Sequence, residues 1–238
     1  MEQILSGFVQ DVQQLYGNDL LAIFLYGSAA TGEHIRGRSD INVTVVLNRL
    51  TPALLRKASG ELRSWSRQGL ATPLFFDPEF LRDALDVFPI EILDMQERHR
   101  MLWGPDVLDG LRIEQGALRR QCEQELRGKL LKLRQAYVES SRSPGDLEGV
   151  LTSATSGLVV LARMLLHLAR AEETGGTEAV LARVEAHFGV GVPSLRTAWR
   201  LKRGEARVTG AELDLLYQAV LEEFRRLVEV VDALPAKS

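Results

Sequence analysis

Near residue 110 the chain changes its periodicity, and that change divides the molecule. Upstream, short apolar runs at residues 21–26, 41–47, 73–76 and 89–94 are separated by helical spacings and by Gly, Pro and Asp breaks. Such runs read as buried strands joined by helices. Downstream, β-branched runs disappear and apolar residues recur only at three- and four-residue intervals. The expectation is an α+β fold: a small mixed-sheet domain over residues 1–112, then an all-α helical bundle over residues 113–238. A length of 238 residues suits two modest domains.

Within the first half, Ile4, Leu5, Phe8, Val9, Val12, Leu15 and Tyr16 form one stripe that predicts a helix, stopped by Gly17 and Asn18. Residues 21–26 are apolar throughout and close on Gly27, which predicts a strand buried on both faces. Leu54, Leu55, Ala58, Leu62 and Trp65 predict a helical stretch between the strands at 41–47 and 73–76. Asp77, Pro78 and Glu79 stand in the order of an N-cap, a first helical residue and an acidic first turn. Residues 89–94 are expected as a fourth strand, with Pro89 leading it, where a missing donor does least harm. In the second half, stripes at 118–137, 147–171, 178–188 and 213–231 predict four or five helices joined by short turns. Thr209 and Glu212 have the capping-box spacing ahead of the last one.

Composition narrows the partners. With 29 Lys+Arg against 32 Asp+Glu the formal net charge is -3, which removes the simplest electrostatic case for nucleic-acid binding. Cys122 is the only cysteine, so an internal disulfide and a Cys-based zinc cluster are excluded, and a reducing, cytoplasmic setting is expected. No apolar run is read as approaching the ~20 residues of a membrane span. The four histidines, His34, His99, His167 and His187, share no metal-ligand spacing. Arg196, Arg200, Lys202, Arg203 and Arg207 cluster around Trp199 and are read first as a solvated helix end.

The stretch that carries chemistry is Phe24-Leu25-Tyr26-Gly27-Ser28, then eleven residues, then Asp40-Ile41-Asn42 opening an apolar run. A buried strand ending at a glycine and a hydroxyl lets bare backbone approach a phosphate closely. Asp40 and Asn42 lie two apart, so on a strand they project from one face, the arrangement that aims two oxygen ligands at one divalent ion. Glu91, in the predicted fourth strand, is a carboxylate among apolar residues and a third candidate ligand; an exposed edge position is its competing reading. Ser39, Arg36 and Arg38 occupy the loop before Asp40 and are candidates to bind phosphate, although arginines in loops are usually just solvated.

This pattern resembles the DNA polymerase β-like nucleotidyltransferase superfamily, whose members share a Gly-Ser turn, a strand with two spaced acids and a third acid on a later strand. Gly27, Ser28 and Asp40 match directly, and Glu91 matches by context. Residues 99–104, His-Arg-Met-Leu-Trp-Gly, look like the close of the catalytic domain in stand-alone antibiotic nucleotidyltransferases with a C-terminal helical domain. The resemblance implies a nucleoside triphosphate and Mg²⁺ (or Mn²⁺) as ligands. It also implies catalytic and metal roles for Asp40, Asn42 and Glu91, in a cleft between the domains. The departure is Asn42, which stands where the family has its second acid. Asn offers a carbonyl oxygen but neither charge nor basicity.

The expectation is therefore transfer of a nucleoside monophosphate to a small-molecule or protein hydroxyl, with catalysis weakened at Asn42. The rival is a non-catalytic nucleotide-binding or protein-interaction module, a pseudo-enzyme or antitoxin-like subunit. Neither membrane nor nucleic-acid partners are expected, and a homodimer is compatible with either reading.

Overall fold

The opening stripe forms α1 (Glu2–Tyr16) and buries Leu5, Phe8, Val12 and Tyr16. In the computed structural model, which describes residues 1–35, 39–140, 143–171 and 175–234, this helix lies against a four-stranded sheet. The strands are β1 (Leu20–Tyr26), β2 (Asn42–Leu47), β3 (Leu74–Phe76) and β4 (His99–Trp103), in the spatial order β3-β2-β1-β4. β1 pairs antiparallel with both β2 and β4, whereas β2 and β3 run parallel, so the sheet is mixed. The apolar β1 holds a central position, which buries both of its faces.

Strand alternation divides the sheet into two apolar faces. Ile23, Leu25, Ile41, Val43 and Val45 meet residues of α1, of α2 (Pro52–Ala58) and of α3 (Leu62–Arg67). The predicted helical stretch over 54–65 is thus two short helices, separated at Ser59, Gly60 and Glu61. On the opposite face, Ala22, Phe24 and Val46 meet Leu81 of α4 (Pro78–Asp83), Met95 of α5 (Pro89–Glu97) and Leu108. Asp77 caps α4 as expected, its carboxylate accepting from the Phe80 amide at 2.8 Å.

Two expectations for this half are corrected. Residues 89–94 form no strand; they open α5, which buries Ile90, Ile92, Leu93 and Met95. Pro89 sits at its start, where a proline suits a helix as well as a strand. The remaining strand is instead β4, whose His-Arg-Met-Leu-Trp sequence has no β-branched residue and holds its place through pairing with β1.

The chain divides into two compact units, Met1–Ile113 and Glu114–Ser238. Among the described residues the second unit contains five helices: α6 (Gln115–Ser140), α7 (Pro144–Leu168), α8 (Thr177–Phe188), α9 (Pro193–Arg203) and α10 (Ala211–Ala233). α6 and α10 are antiparallel, since Arg119 reaches the Leu234 carbonyl at 2.9 Å while Tyr217 donates to the Leu133 carbonyl at 2.8 Å. α7 packs on α6, α8, α9 and α10. This central place explains a further correction: residues Gly145–Leu168 are long and apolar enough to cross a membrane by length and composition, yet Leu151, Leu158, Leu161, Met164, Leu165 and Leu166 are buried within the unit. The capping box is also absent, because Gly210 caps α10 and the Glu212 amide donates to the Thr209 carbonyl.

The start of α9 is held by a buried acid. Glu223 on α10 accepts from the Ser194 and Leu195 amides at 2.8 Å each. Removing that carboxylate leaves buried donors without partners. Glu223→Ala is therefore expected to cost about 2–4 kcal/mol in denaturant unfolding, and Glu223→Gln less, because its carbonyl still accepts one bond. A cost below about 0.5 kcal/mol for the alanine variant would show that water replaces the carboxylate freely.

Candidate nucleotide site

β1 ends at Tyr26, and the chain turns through Gly27–Ala29 in one 3₁₀ turn. Gly27 has φ +70°, a conformation that L side chains rarely adopt, and a Cβ placed there would lie 3.5 Å from the Asn42 side-chain amide. Asn42 is paired in register with Tyr26, so the turn and the second ligand position are brought together. Only one of the two oxygen ligands expected on a shared strand is on it: β2 begins at the half-buried Asn42, and Asp40 lies exposed ahead of it. The backbone between them is tied down, with the Ile41 amide donating to the Gly69 carbonyl at 2.9 Å and the Ala71 amide donating to the Ile41 carbonyl at 3.0 Å.

The other sequence candidates divide. Ser28 lies in the turn and is half-buried. Ser39 does not present a bare hydroxyl: its oxygen accepts from the Ile35 amide at 3.4 Å and its own amide donates to the Ile35 carbonyl at 2.9 Å. Arg36 and Arg38 lie outside the described residues. Glu91 loses the premise on which it was chosen, since it is an exposed residue in the first turn of α5 and belongs to no strand. None of the four strands carries a carboxylate. Among the described residues, no group of three or more His, Cys, Asp or Glu side chains is placed to hold a metal ion. Among the described residues the three-acid arrangement is therefore not present.

Two residues outside the sequence candidates approach the turn: Asp94, read from sequence as structural on the face opposite Glu91, and Arg98, which sequence reasoning passed over. Asp94 on α5 lies near the Tyr26 phenol; burial pushes that phenol's pKa up, and the Asp94 charge adds to the shift. Arg98, the residue before β4, forms ion pairs with Asp94 at 3.5 Å and Glu33 at 3.4 Å and donates to the Thr31 hydroxyl at 3.1 Å. The i, i+3 spacing of Glu91 and Asp94 was the available signal: on a helix it places both acids on one side, whereas a strand sends them to opposite faces. Two members of the basic cluster, both on α9, are paired with acids on α8: Arg196 with Glu185 at 2.8 Å and Arg200 with Glu178 at 3.1 Å.

Residues 5–98 match the family model of the nucleotidyltransferase domain. No curated protein matches the chain. Among solved structures, it is similar to the spectinomycin adenyltransferase AAD(9) from Enterococcus faecialis, determined with ATP and spectinomycin. The TM-score is 0.59 at 11% identity, over 94% of this chain and 99% of the other. At that identity the likeness speaks for the fold, and the family match speaks for the domain. With a Gly-Ser turn closing β1 beside Asn42, the first unit of this chain is a nucleotidyltransferase domain of the DNA polymerase β-like kind, in a chain resembling the antibiotic-type enzymes.

Proposed function

We propose that the protein binds a nucleoside triphosphate with one Mg²⁺ or Mn²⁺ ion and transfers the nucleoside monophosphate to a hydroxyl, slowly because Asn42 replaces an acid. The juxtaposition of the Gly27 turn with Asn42 carries this reading. Gly27 and Ser28 receive phosphate; Asp40 and the Asn42 carbonyl oxygen hold the cation. The acceptor oxygen attacks the α-phosphorus, the bond to the pyrophosphate oxygen breaks, and the acceptor's proton leaves to water. The cation supplies charge stabilisation for the phosphates when bound. A small-molecule acceptor is favoured by the structural neighbour, whose own ligands are ATP and spectinomycin. A protein hydroxyl is the other acceptor class. The second reading, a nucleotide-binding module without turnover, is favoured by strands that carry no acid.

The test is binding first. ATP with Mg²⁺ at a hundredfold excess over its dissociation constant is expected to add about 2.7 kcal/mol of stability, read as a raised melting temperature. Asp40→Ala is expected to weaken Mg²⁺-dependent ATP affinity about tenfold or more, a loss of about 1.4 kcal/mol, with the ligand-free melting temperature unchanged because Asp40 is exposed. An undiminished Mg²⁺-dependent affinity in the folded variant would remove Asp40 from the site. Pyrophosphate release with hydroxyl acceptors then separates the enzyme from the module.

A further inference from the structure

Antiparallel pairing of β1 with β4 sets Tyr26 opposite His99, and the next residue along each chain is Gly27 on one side and Arg98 on the other. The side chain of Arg98 is 14% exposed and is held by carboxylates on two sides, Asp94 one turn earlier in sequence and Glu33 beyond the turn. Its Nη2 also donates to the Thr31 hydroxyl oxygen at 3.1 Å. The Thr31 hydroxyl has one proton to give, and the Ser28 and Gly27 carbonyls lie 3.4 and 3.5 Å from it. The same two carbonyls accept from backbone: Gly27 from the Ala30 amide and Ser28 from the Glu33 amide, each at 3.0 Å.

Both carbonyls of the turn are therefore drawn into the loop that Arg98 and Thr31 close. A trans peptide places the C=O of one residue and the N–H of the next on opposite sides. With the Gly27 and Ser28 carbonyls turned inward, the amides of Ser28 and Ala29 are turned outward, away from two oxygen dipoles that would repel an anion. Successive outward amides make an anion-binding concavity.

We propose that Arg98 is the positioning residue of the phosphate turn: acting through the Thr31 hydroxyl, it holds the Gly27 and Ser28 carbonyls inward, so that the Ser28 and Ala29 amides face a polyphosphate. The inference rests on the nucleotide reading of the turn and adds the device that sets it. Arginine suits the task because its planar fork reaches Thr31, Asp94 and Glu33 together, a geometry that a lysine ammonium on a flexible stem does not reproduce. The ligand class that follows is a di- or triphosphate, since two adjacent amides on a turn address phosphate oxygens and leave base and sugar unread.

The experiment compares the natural protein with Arg98→Lys, Thr31→Val, Thr31→Ser and the Arg98→Lys/Thr31→Val double variant. Calorimetric affinities for ATP, ADP and AMP with Mg²⁺ are combined with amide hydrogen exchange of the ligand-free proteins. Arg98→Lys and Thr31→Val are each expected to weaken ATP about tenfold and AMP hardly at all, and Thr31→Ser to bind as the natural protein does. The double variant is expected to be no worse than either single one, because both act along one chain of contacts. In exchange, the Ala30 and Glu33 amides should be protected and those of Ser28 and Ala29 not, with Glu33 protection lost in Arg98→Lys and Thr31→Val. Equal losses for ATP and AMP, multiplying effects in the double variant, or unaltered Glu33 protection would each overturn the proposal. If the natural protein binds no nucleotide, the nucleotide reading itself has failed, and exchange alone decides whether Arg98 holds the turn.

Discussion

Replacing Gly104 with alanine is expected to destabilise the first unit by on the order of 3 kcal/mol or more. Gly104 directly follows β4 and has φ +79°; a Cβ there would lie 2.3 Å from the Leu21 carbonyl oxygen and 3.0 Å from the Ala22 Cα. Both contacts are backbone of the central strand β1, so nothing nearby can rotate away, and the left-handed conformation adds its own strain of about 1–3 kcal/mol. Since β1 ends at the Gly27 turn, displacing it should also weaken nucleotide binding. Gly60→Ala is the matched control, because a Cβ at Gly60 meets nothing within 4 Å. Denaturant unfolding of the two variants makes the comparison, and a Gly104→Ala loss below about 1 kcal/mol would mean that the strand is not approached so closely.

Asn42→Asp is expected to raise Mg²⁺-dependent nucleotide affinity at least about tenfold, a gain of about 1.4 kcal/mol, and to speed pyrophosphate release if the rest of the catalytic apparatus survives. The two side chains are nearly isosteric, so the change adds charge without volume. At an effective dielectric of about 20 and a separation of about 4 Å, one more unit charge beside Mg²⁺ is worth on the order of 8 kcal/mol gross, most of it offset by desolvation. The ligand-free variant should be less stable, by about 1 kcal/mol, because a half-buried carboxylate is placed only two residues from that of Asp40. Melting with and without Mg²⁺, then pyrophosphate release, checks both halves. A variant unchanged in apo stability and in Mg²⁺ affinity would show that residue 42 does not face the cation, and the site would have to be reassigned.

The readable parts of the site were those with a strong local signature. An unbroken apolar strand stopped by Gly27 and the spacing from Ser28 to Asp40 needed no tertiary information, whereas the nearness of Gly27 to Asn42 comes from the antiparallel register of β1 and β2. Residues 89–94 form a helix where a strand was expected because a three-residue Ile-Glu-Ile alternation within a six-residue stretch is too short to separate strand from buried helix. Arg98 was invisible for a different reason, since its partners Thr31 and Glu33 lie more than sixty residues away in sequence.

What the sequence by itself determined is the α+β class, the identity of β1 and β2, the Gly-Ser turn and the largely helical second half, because periodicity and glycine placement are local properties of a chain. Only the tertiary structure decided that β4 completes the sheet, that none of the four strands carries an acid, and that Arg98 reaches Thr31 and Glu33. Those depend on strand pairing and register, which arise from contacts between distant segments and are written in no single window of the sequence.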